Sequence, residues 1–242
     1  MARRRGREGV RFTFEAIAKR IDVSALDPIL RRPAIEALVR RDAAGFLNKA
    51  DNMNGPEIVR VNEDLLLNLG IYEAALLHSY VGVRVDTAIP PEIKEQFSRA
   101  NRGRLRAAGE PIPGRGPFVL YQGEQVLRGC RQRQPSGISW TRRLGLAAWF
   151  AERLIESSCR PVVWRATIGR GHIVAYTNVR EEDEFIVVHL PKSIKVEQVP
   201  EAKCKAATAA YVADRAASSD ARRKRFLTKW ARRRKGARVR PS

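Results

Sequence analysis

The stretch EPIPGRGPFVLYQG (110–123) marks the point at which the character of this sequence changes. Its first eight residues hold three prolines and two glycines, residue types that end helices and strands. The next residues, Phe118 to Tyr121, form an apolar run of types that favour strands. The sequence therefore predicts a linker at 110–117, with helices before it and strands after it.

The region before this linker, residues 12–109, has apolar residues three and four positions apart, as amphipathic helices do. Turn signals at 54–56 and 89–91 divide it, because proline keeps the preceding residue out of helical geometry. The helical segments are FEAIAKRI (14–21), PAIEALVRRDAAGFLNKA (33–50) and EDLLLNLGIYEAALLHSYV (63–81). We therefore expect a helical N-terminal region.

The region after the linker, residues 118–200, consists of short runs of β-branched and aromatic residues, which are typical of strands. One alanine-rich helix, predicted from Leu144 to Ser157, interrupts them. This order predicts an α+β fold with a mostly antiparallel sheet, followed by a helical tail at 201–242 that is first alanine-rich and then basic. The predicted strands are Phe118–Tyr121, Val162–Thr167, His172–Tyr176 and Phe185–Val188.

The charge of the chain is strongly basic, with a formal net charge of +20 and a pI near 10.9. Most of it lies at the two ends. Residues 1–11 form a basic arm with five arginines against one glutamate, and residues 220–242 hold eleven arginines or lysines against Asp220. Such ends favour an anionic partner, most often nucleic acid.

Targeting and metal signals are weak. No apolar run approaches the roughly 20 residues that a membrane span needs, and the basic N-terminal arm leads into no apolar signal segment. The three cysteines, Cys130, Cys159 and Cys204, are widely spaced, which predicts neither a disulfide framework nor a zinc ribbon. We therefore expect a cytoplasmic protein without a structural metal.

Three short motifs follow one another in the strand-rich region: YQG (121–123), GISWT (137–141) and EEDEFIVV (181–188). In this order they resemble the ADP-ribosyltransferase superfamily, in particular the branch with an arginine on the first strand, Ser-x-Ser/Thr on a middle strand and Glu-x-Glu at a later strand. The helix LGLAAWFAERL (144–154) also fits, because bacterial and phage members often place an alanine-rich helix there. The resemblance implies an ADP-ribosyltransferase-like core at 118–200.

The resemblance implies that the chain transfers ADP-ribose from NAD, its substrate, to an acceptor. Glu184 would be the catalytic glutamate, which stabilises the sugar cation that forms as nicotinamide departs. Ser139 would orient that carboxyl group, and Thr141 would complete the polar strand edge. If residues 182–184 are extended, Glu182 lies on the same face and acts as general base on an acceptor such as a protein arginine.

The first motif departs from the family pattern. Where the family has an arginine that binds the phosphates of NAD, this chain has Gln122, flanked by Tyr121 and Gly123 as the other candidate dinucleotide-binding residues. Loss of a charge-assisted contact weakens binding by on the order of a few kcal/mol unless another cation replaces it. Nearby candidates are Arg128, Arg131 and Arg133.

This departure leaves two functions open. One is an active mono-ADP-ribosyltransferase whose acceptor is a protein side chain, with arginine favoured, on a nucleic-acid-associated target. The other is a catalytically inactive fold of the same kind that acts as a nucleic-acid-binding protein.

Strand alternation assigns the aromatic residues of these motifs. If Ser139 points into the cleft, Trp140 points to the opposite face and belongs to the core. Tyr121 has the same two choices, and the sequence does not decide between them.

The C-terminal run RRKRFLTKWARRRKGARVR (222–240) predicts contact with nucleic acid or nucleoprotein. Its cations would neutralise phosphates, and in a helix Phe226 and Trp230 would present one aromatic face to bases. A membrane partner is not expected. The predicted contact residues are Arg222, Arg223, Lys224, Arg225, Lys229, Trp230, Arg232, Arg233, Arg234 and Lys235.

Overall fold

The computed structural model describes residues 12–24, 26–49, 55–82, 91–153 and 155–218 of this 242-residue chain. The described part before the sheet is helical, as predicted. Its helices are α1 (Phe14–Ala18), α2 (Pro28–Val39), α3 (Ala43–Leu47), α4 (Gly55–Val61), α5 (Glu63–Leu69), α6 (Tyr72–Gly82), α7 (Pro91–Arg99) and α8 (Arg102–Ala108).

Two of the predicted helical segments are each split in two. Arg41 has φ 56° between α2 and α3, and Asp42 then caps α3 by accepting a 2.8 Å hydrogen bond from the amide of Gly45. Gly70, with φ 73°, ends α5 in the left-handed conformation that glycine adopts at little cost. The apolar spacing runs across both breaks, which is why it predicted longer helices.

The second half forms one six-stranded antiparallel sheet, which confirms the predicted α+β class. The strand order is β4-β5-β2-β1-β3-β6. The long central strands β1 and β3 pair along their whole length. The strands are β1 (Phe118–Leu127), β2 (Ser139–Thr141), β3 (Cys159–Ile168), β4 (Ala175–Thr177), β5 (Glu184–Ile186) and β6 (Val196–Gln198).

Several elements in this half differ from the prediction, and β1 and β3 are both longer than expected. The strand expected at 172–176 begins later, at Ala175, because Arg170–His172 forms a turn of 3-10 helix. The helix after β2, α9 (Leu144–Glu152), stops before the expected Ser157. Strand β6 was not predicted, since its three residues are only partly buried and show no apolar run.

The two faces of the sheet have different covers. The helical half packs on one face, where its core continues into Ile138, Val174, Ala175, Ile186 and Val188. On that same face, α9 lies over β1 and β3, and a further helix, α10 (201–218), packs against α9. The opposite face carries a separate apolar cluster built around the large side chains Trp140, Trp164 and Phe185.

The linker at 110–117 is fastened to the sheet rather than spanning open space. The Glu110 amide donates to the Tyr176 carbonyl at 2.8 Å, and Arg170 donates to the carbonyl oxygens of Ile112 and Gly114. Ile112 is itself buried against the sheet. Among the described residues, no helix is long and apolar enough to cross a bilayer.

Candidate active site

A row of residues in register crosses four strands of the sheet on the face that the helices cover. Tyr121 pairs with Thr141, Thr141 with Glu184, and Glu184 with Thr177. Directly opposed residues of antiparallel strands project to the same face. The row therefore places Glu184 on the strand next to edge strand β4, between the helical half on one side and α9 on the other.

Ser139 and Glu184 are hydrogen-bonded to each other. The Ser139 hydroxyl Oγ donates to Oε1 of Glu184 at 2.6 Å, a short distance that is typical of a hydroxyl on a carboxylate. Glu184 is buried, with 6% of its surface exposed. The Ser139 side chain thus holds the carboxyl group of Glu184 in one orientation. The resemblance implied a contact between these two residues.

The surroundings of Glu184 disfavour its charged form. Burial raises the pKa of Glu184, and the nearby negative charge of Glu182 adds to this, while the Ser139 hydrogen bond and the charge of Arg180 lower it. Tyr80 of α6 lies nearby in the core that joins the helical half to the sheet, and burial, with the charge of Glu184 adding to it, raises the pKa of Tyr80. A buried carboxyl group beside one hydroxyl donor is an environment in which enzymes shift the pKa values of catalytic groups.

The loop before β5 is not extended. The sequence-based placement of Glu182 on the same face as Glu184 required an extended chain at 182–184. Asp183 has φ 52° and Glu181 φ 59°, so simple alternation does not relate the two glutamates. Glu182 nevertheless lies close enough for its charge to act on Glu184. Its carboxylate forms a 3.1 Å ion pair with Arg180.

Asp183, between the two glutamates, anchors this loop. Arg142 donates from Nε and Nη2 to the two carboxylate oxygens of Asp183, both at 2.7 Å, and the Tyr176 hydroxyl donates at 2.9 Å. Burial raises the pKa of Asp183, but the hydrogen bonds from Arg142 and Tyr176 outweigh it, so the net pKa is lowered. Burial and the bond to Asp183 raise the pKa of Tyr176 to about 12.

Thr141 also holds the loop. Its hydroxyl donates to the Glu182 carbonyl at 2.9 Å and accepts from the Arg143 amide at 3.2 Å. Arg143 donates in turn to the Glu181 carbonyl at 2.7 Å. Residues 141–143 therefore hold the loop residues 181–183, which precede Glu184, in place. Thr141 is a support for the loop in this structure, not a group exposed for a ligand.

Asp183→Asn is expected to lower the free energy of unfolding by about 1–3 kcal/mol at pH 7, because it removes charged hydrogen bonds. Since the folded-state pKa of Asp183 is lowered, its contribution is present above the unfolded-state pKa near 4 and is lost as the pH falls through the folded value. The difference between wild type and variant should therefore shrink below about pH 4. Urea denaturation at a series of pH values measures this.

The matched control is Glu197→Gln, which breaks the exposed Arg165–Glu197 ion pair at 3.3 Å and should cost less than about 1 kcal/mol. A difference for Asp183→Asn that stays constant down to pH 3 would contradict the role given to the ion pair with Arg142.

Gln122 does not join Ser139 and Glu184. It pairs with Trp164 of β3 and, one position on from Tyr121, projects to the opposite face of the sheet. There it is buried, and its Nε2 donates to Oε1 of Glu124 at 2.9 Å. The convergence of Gln122, Ser139 and Glu184 on one cleft, which the motif order suggested, is not observed.

Glu124 accepts hydrogen bonds from several residues, a role that the sequence did not predict. Besides Gln122, its carboxylate accepts from the side chains of Gln132, Ser136 and Trp164 and from the amides of Ser136 and Gly137. These bonds tie the loop that enters β2 to the central strand β1. Glu124 therefore fixes where β2 begins and, with it, the position of Ser139.

Tyr121 and Gly123 share the face of Glu184 but lie under helices. Tyr121 is half-buried against the cluster of Ala147, Ala148 and Ala151 from α9. A Cβ atom built on Gly123 would lie 1.9 Å from the carbonyl oxygen of Ala147. Gly123 is thus required by helix packing, which differs from the dinucleotide contact suggested by the sequence.

Trp140 lies in the core, as strand alternation predicted, with 1% of its surface exposed. The three cysteines are free thiols. Within the described ranges, no group of three histidine, cysteine, aspartate or glutamate side chains is placed to hold a metal ion.

Three arginines after β1 were suggested as cations for the NAD phosphates. Arg128 donates to the Ser157 carbonyl at 3.0 Å, and Arg131 and Arg133 are exposed on the loop after β1. The positive charge that lowers the pKa of Glu184 is that of Arg180. Sequence reasoning missed Arg180 because it lies outside the motifs, and missed Tyr80 because 58 residues of chain separate it from β2.

The predicted nucleic-acid-binding residues between Arg222 and Lys235 lie outside the described residues, as does the basic arm at 1–11. The helix predicted in the alanine-rich part of the tail is present as α10.

Comparison of the chain with protein-family models, curated proteins and solved structures found no match. The chemistry of the candidate site therefore follows from its own geometry. That geometry is a buried glutamate, bonded to a serine on the neighbouring strand, with a second glutamate, an arginine and a tyrosine close by.

Proposed function

We propose that this chain is an NAD-dependent mono-ADP-ribosyltransferase that modifies a protein side chain, with arginine the favoured acceptor. The observation that carries the proposal is the 2.6 Å hydrogen bond between Ser139 and the buried carboxyl group of Glu184. The motif order YQG, GISWT and EEDEFIVV, and the resemblance that rests on it, add support.

The proposed chemistry is substitution at the anomeric carbon of the nicotinamide ribose. The bond from that carbon to the nicotinamide nitrogen breaks, and nicotinamide leaves as a neutral ring with the bonding electron pair. The ionised carboxylate of Glu184 stabilises the positive charge that develops on the sugar, because its position is preorganised by Ser139. A new bond then forms to a nitrogen of the acceptor.

Glu182 is the proposed general base for the acceptor. An arginine side chain must lose one proton as its nitrogen bonds to the sugar, and that proton passes to the Glu182 carboxylate. Its 3.1 Å ion pair with Arg180 holds the Glu182 carboxylate in place for this step. Arg180 is also the cation proposed to replace the family's phosphate-binding arginine, since the side chain of Gln122 faces away.

Purified full-length protein, incubated with cell lysate and NAD labelled in its adenosine part, tests the proposal. Transfer of label to protein, together with release of nicotinamide, is expected. Well-folded protein that produces neither labelled protein nor nicotinamide would contradict it.

One observation favours a second candidate, a nucleic-acid-binding protein with an inactive fold of this type. Gln122, at the position of the phosphate-binding arginine, is buried on the opposite face and its amide group is engaged by Glu124. Under that alternative, the assay above stays negative while the protein still binds RNA or DNA.

Both candidates share nucleic acid as the proposed partner of the basic C-terminal run. Affinity for a single-stranded oligonucleotide should fall by about 100-fold or more between 50 and 200 mM salt, because bound phosphates release counterions. A full-length variant with glutamine at residues 222–225 and 232–235 should bind more weakly at low salt and show a shallower salt dependence. Fluorescence anisotropy measures both.

The matched control replaces two exposed arginines of α2, Arg31 and Arg32, by glutamine and should leave binding nearly unchanged. An affinity that does not depend on salt, or one that survives the tail substitutions, would remove the tail as the binding element.

A further inference from the structure

A cluster of arginines lies where α8 meets the turn between β3 and β4. Residues 99–115 hold five arginines against one carboxylate, Glu110, so this short segment carries much of the positive charge that lies outside the two basic ends. A further arginine, Arg170, lies in the facing turn of 3-10 helix. Four of these side chains are exposed and form no ion pair with a carboxylate among the described residues: Arg102, Arg106, Arg115 and Arg170.

Uncharged acceptors hold these guanidinium groups in place. Arg102 and Arg106 are one turn apart on the same face of α8, and both donate through Nη2 to the carbonyl oxygen of Gly171. Arg106 also donates to the carbonyl oxygens of Arg170 at 3.0 Å and of Ile173 at 2.8 Å. Arg170 itself donates to two carbonyl oxygens of the linker. Carbonyl oxygens orient these groups, but they do not neutralise their charge.

Two carboxylates that could offset this charge are engaged elsewhere. Oε1 of Glu110 accepts from the Asn178 amide at 2.7 Å, and the buried Glu73 is paired with Arg104 at 3.9 Å. Two cations that share one carbonyl oxygen repel each other, and an anion placed between them relieves that repulsion. A guanidinium group has more N–H donors than these contacts use, so the cluster can still donate to the oxygens of an anion.

We propose that these four arginines, the arginine patch, bind the phosphate backbone of a nucleic acid. Arginine forks match phosphate oxygens in shape and charge. The patch is exposed and spread over a helix, a linker and a turn, which suits a polyanion. Several contacts then add and release counterions, whereas one small anion on an exposed surface is screened by salt.

This inference goes beyond the proposed function, because it does not depend on cleavage of NAD. It adds a binding surface on the folded part of the chain to the nucleic-acid contact proposed for the C-terminal run. The helical half and the sheet both contribute to this surface, since α8 belongs to one and the turn at 170–172 to the other.

The test uses full-length protein with Arg102→Gln and Arg170→Gln together. Arg106 is retained because it makes most of the hydrogen bonds between α8 and the turn. Affinity for a single-stranded oligonucleotide, measured by fluorescence anisotropy, should fall about tenfold or more at 50 mM salt. The slope of log affinity against log salt should become shallower by about one unit, because two phosphate contacts are lost.

Two variants control for the number of charges and for the fold. Arg31→Gln with Arg32→Gln removes the same charge from α2 and should leave the affinity nearly unchanged. Arg102→Lys with Arg170→Lys keeps the charge and should retain most of the affinity and of the salt dependence. A glutamine variant that binds as tightly as the α2 control would overturn the proposal. So would a lysine variant that loses as much affinity as the glutamine variant.

Inorganic phosphate distinguishes a nucleic-acid surface from a site for a small anion. At matched ionic strength, phosphate should displace the oligonucleotide no better than chloride does. Much stronger displacement by phosphate, present in wild type and absent in the glutamine variant, would assign the patch to a small anion and overturn the proposal.

The contribution of the C-terminal run is measured separately with the variant that has glutamine at residues 222–225 and 232–235. If that variant binds like wild type while the patch variant loses affinity, the role of the C-terminal run fails and this inference stands. The reverse result overturns this inference and leaves the role of the C-terminal run intact. Cleavage of NAD is scored independently of both.

Discussion

Glu184→Gln is expected to reduce NAD cleavage and protein labelling by about 100- to 1000-fold. Glutamine has nearly the same shape and can still accept the Ser139 hydrogen bond, but it brings no negative charge to the developing sugar cation. The loss should therefore appear in kcat more than in the KM for NAD. Initial rates of nicotinamide release, measured against NAD concentration, give both constants.

The same substitution should leave the protein as stable as wild type or make it more stable. Because the folded-state pKa of Glu184 is raised, its ionised form is disfavoured in the fold at neutral pH. Glutamine removes that cost. The gain should be present near pH 8 and should disappear below the ordinary glutamate pKa of about 4.3, where both states are protonated.

Glu181→Gln is the matched control for Glu184→Gln. Glu181 is exposed in the same loop, and its side chain makes no hydrogen bond or ion pair among the described residues. Its removal should leave the rate within about twofold. Activity retained in Glu184→Gln, or lost equally in Glu181→Gln, would contradict the catalytic role of Glu184.

Gly123→Ala is expected to lower the free energy of unfolding by about 3 kcal/mol. The added Cβ would lie 1.9 Å from the Ala147 carbonyl oxygen and 3.0 Å from the Ala151 amide nitrogen. Both are backbone atoms of α9, so no side-chain rotation relieves the contact and the helix must move away from β1. A loss of roughly 6–12 °C in Tm is expected, which thermal unfolding measures.

Gly171→Ala is the control for this packing effect, because no atom lies within 4 Å of the Cβ that would be added there. It should change Tm by no more than about 2 °C. A Gly123→Ala protein with the stability of wild type would show that α9 does not approach β1 as closely as the structure has it.

Local sequence patterns predicted most of the fold, where the pattern depends on neighbours along the chain. The proline- and glycine-rich linker at 110–117, the helices before it and the strand-forming runs after it are local features. The strand pattern also placed Trp140 in the core, because alternation depends on a period of two. Local patterns were less reliable where a single residue with positive φ ends a helix, as Arg41 and Gly70 do.

The candidate site could be predicted only in part. The order of the motifs brought Ser139 and Glu184 together, and the structure has them hydrogen-bonded. The position of Gln122 depended on the register between β1 and β2, which pairs Tyr121 with Thr141. A one-residue difference in register exchanges the two faces, and the short motifs did not show which residue of β1 lies opposite Thr141.

By itself, the sequence determined the α+β class, the division into helical and strand-rich halves, the basic ends and the identity of the Ser139 and Glu184 pair. The tertiary structure alone decided that Tyr80 lies near that pair, that Arg142 and Asp183 hold the loop beside it, and that Gly123 lies under α9. The physical reason is the separation along the chain of the residues that determine each feature. Helix and strand periodicity are set by adjacent residues, whereas these contacts join segments far apart in the chain, and their partners are chosen by packing and strand register.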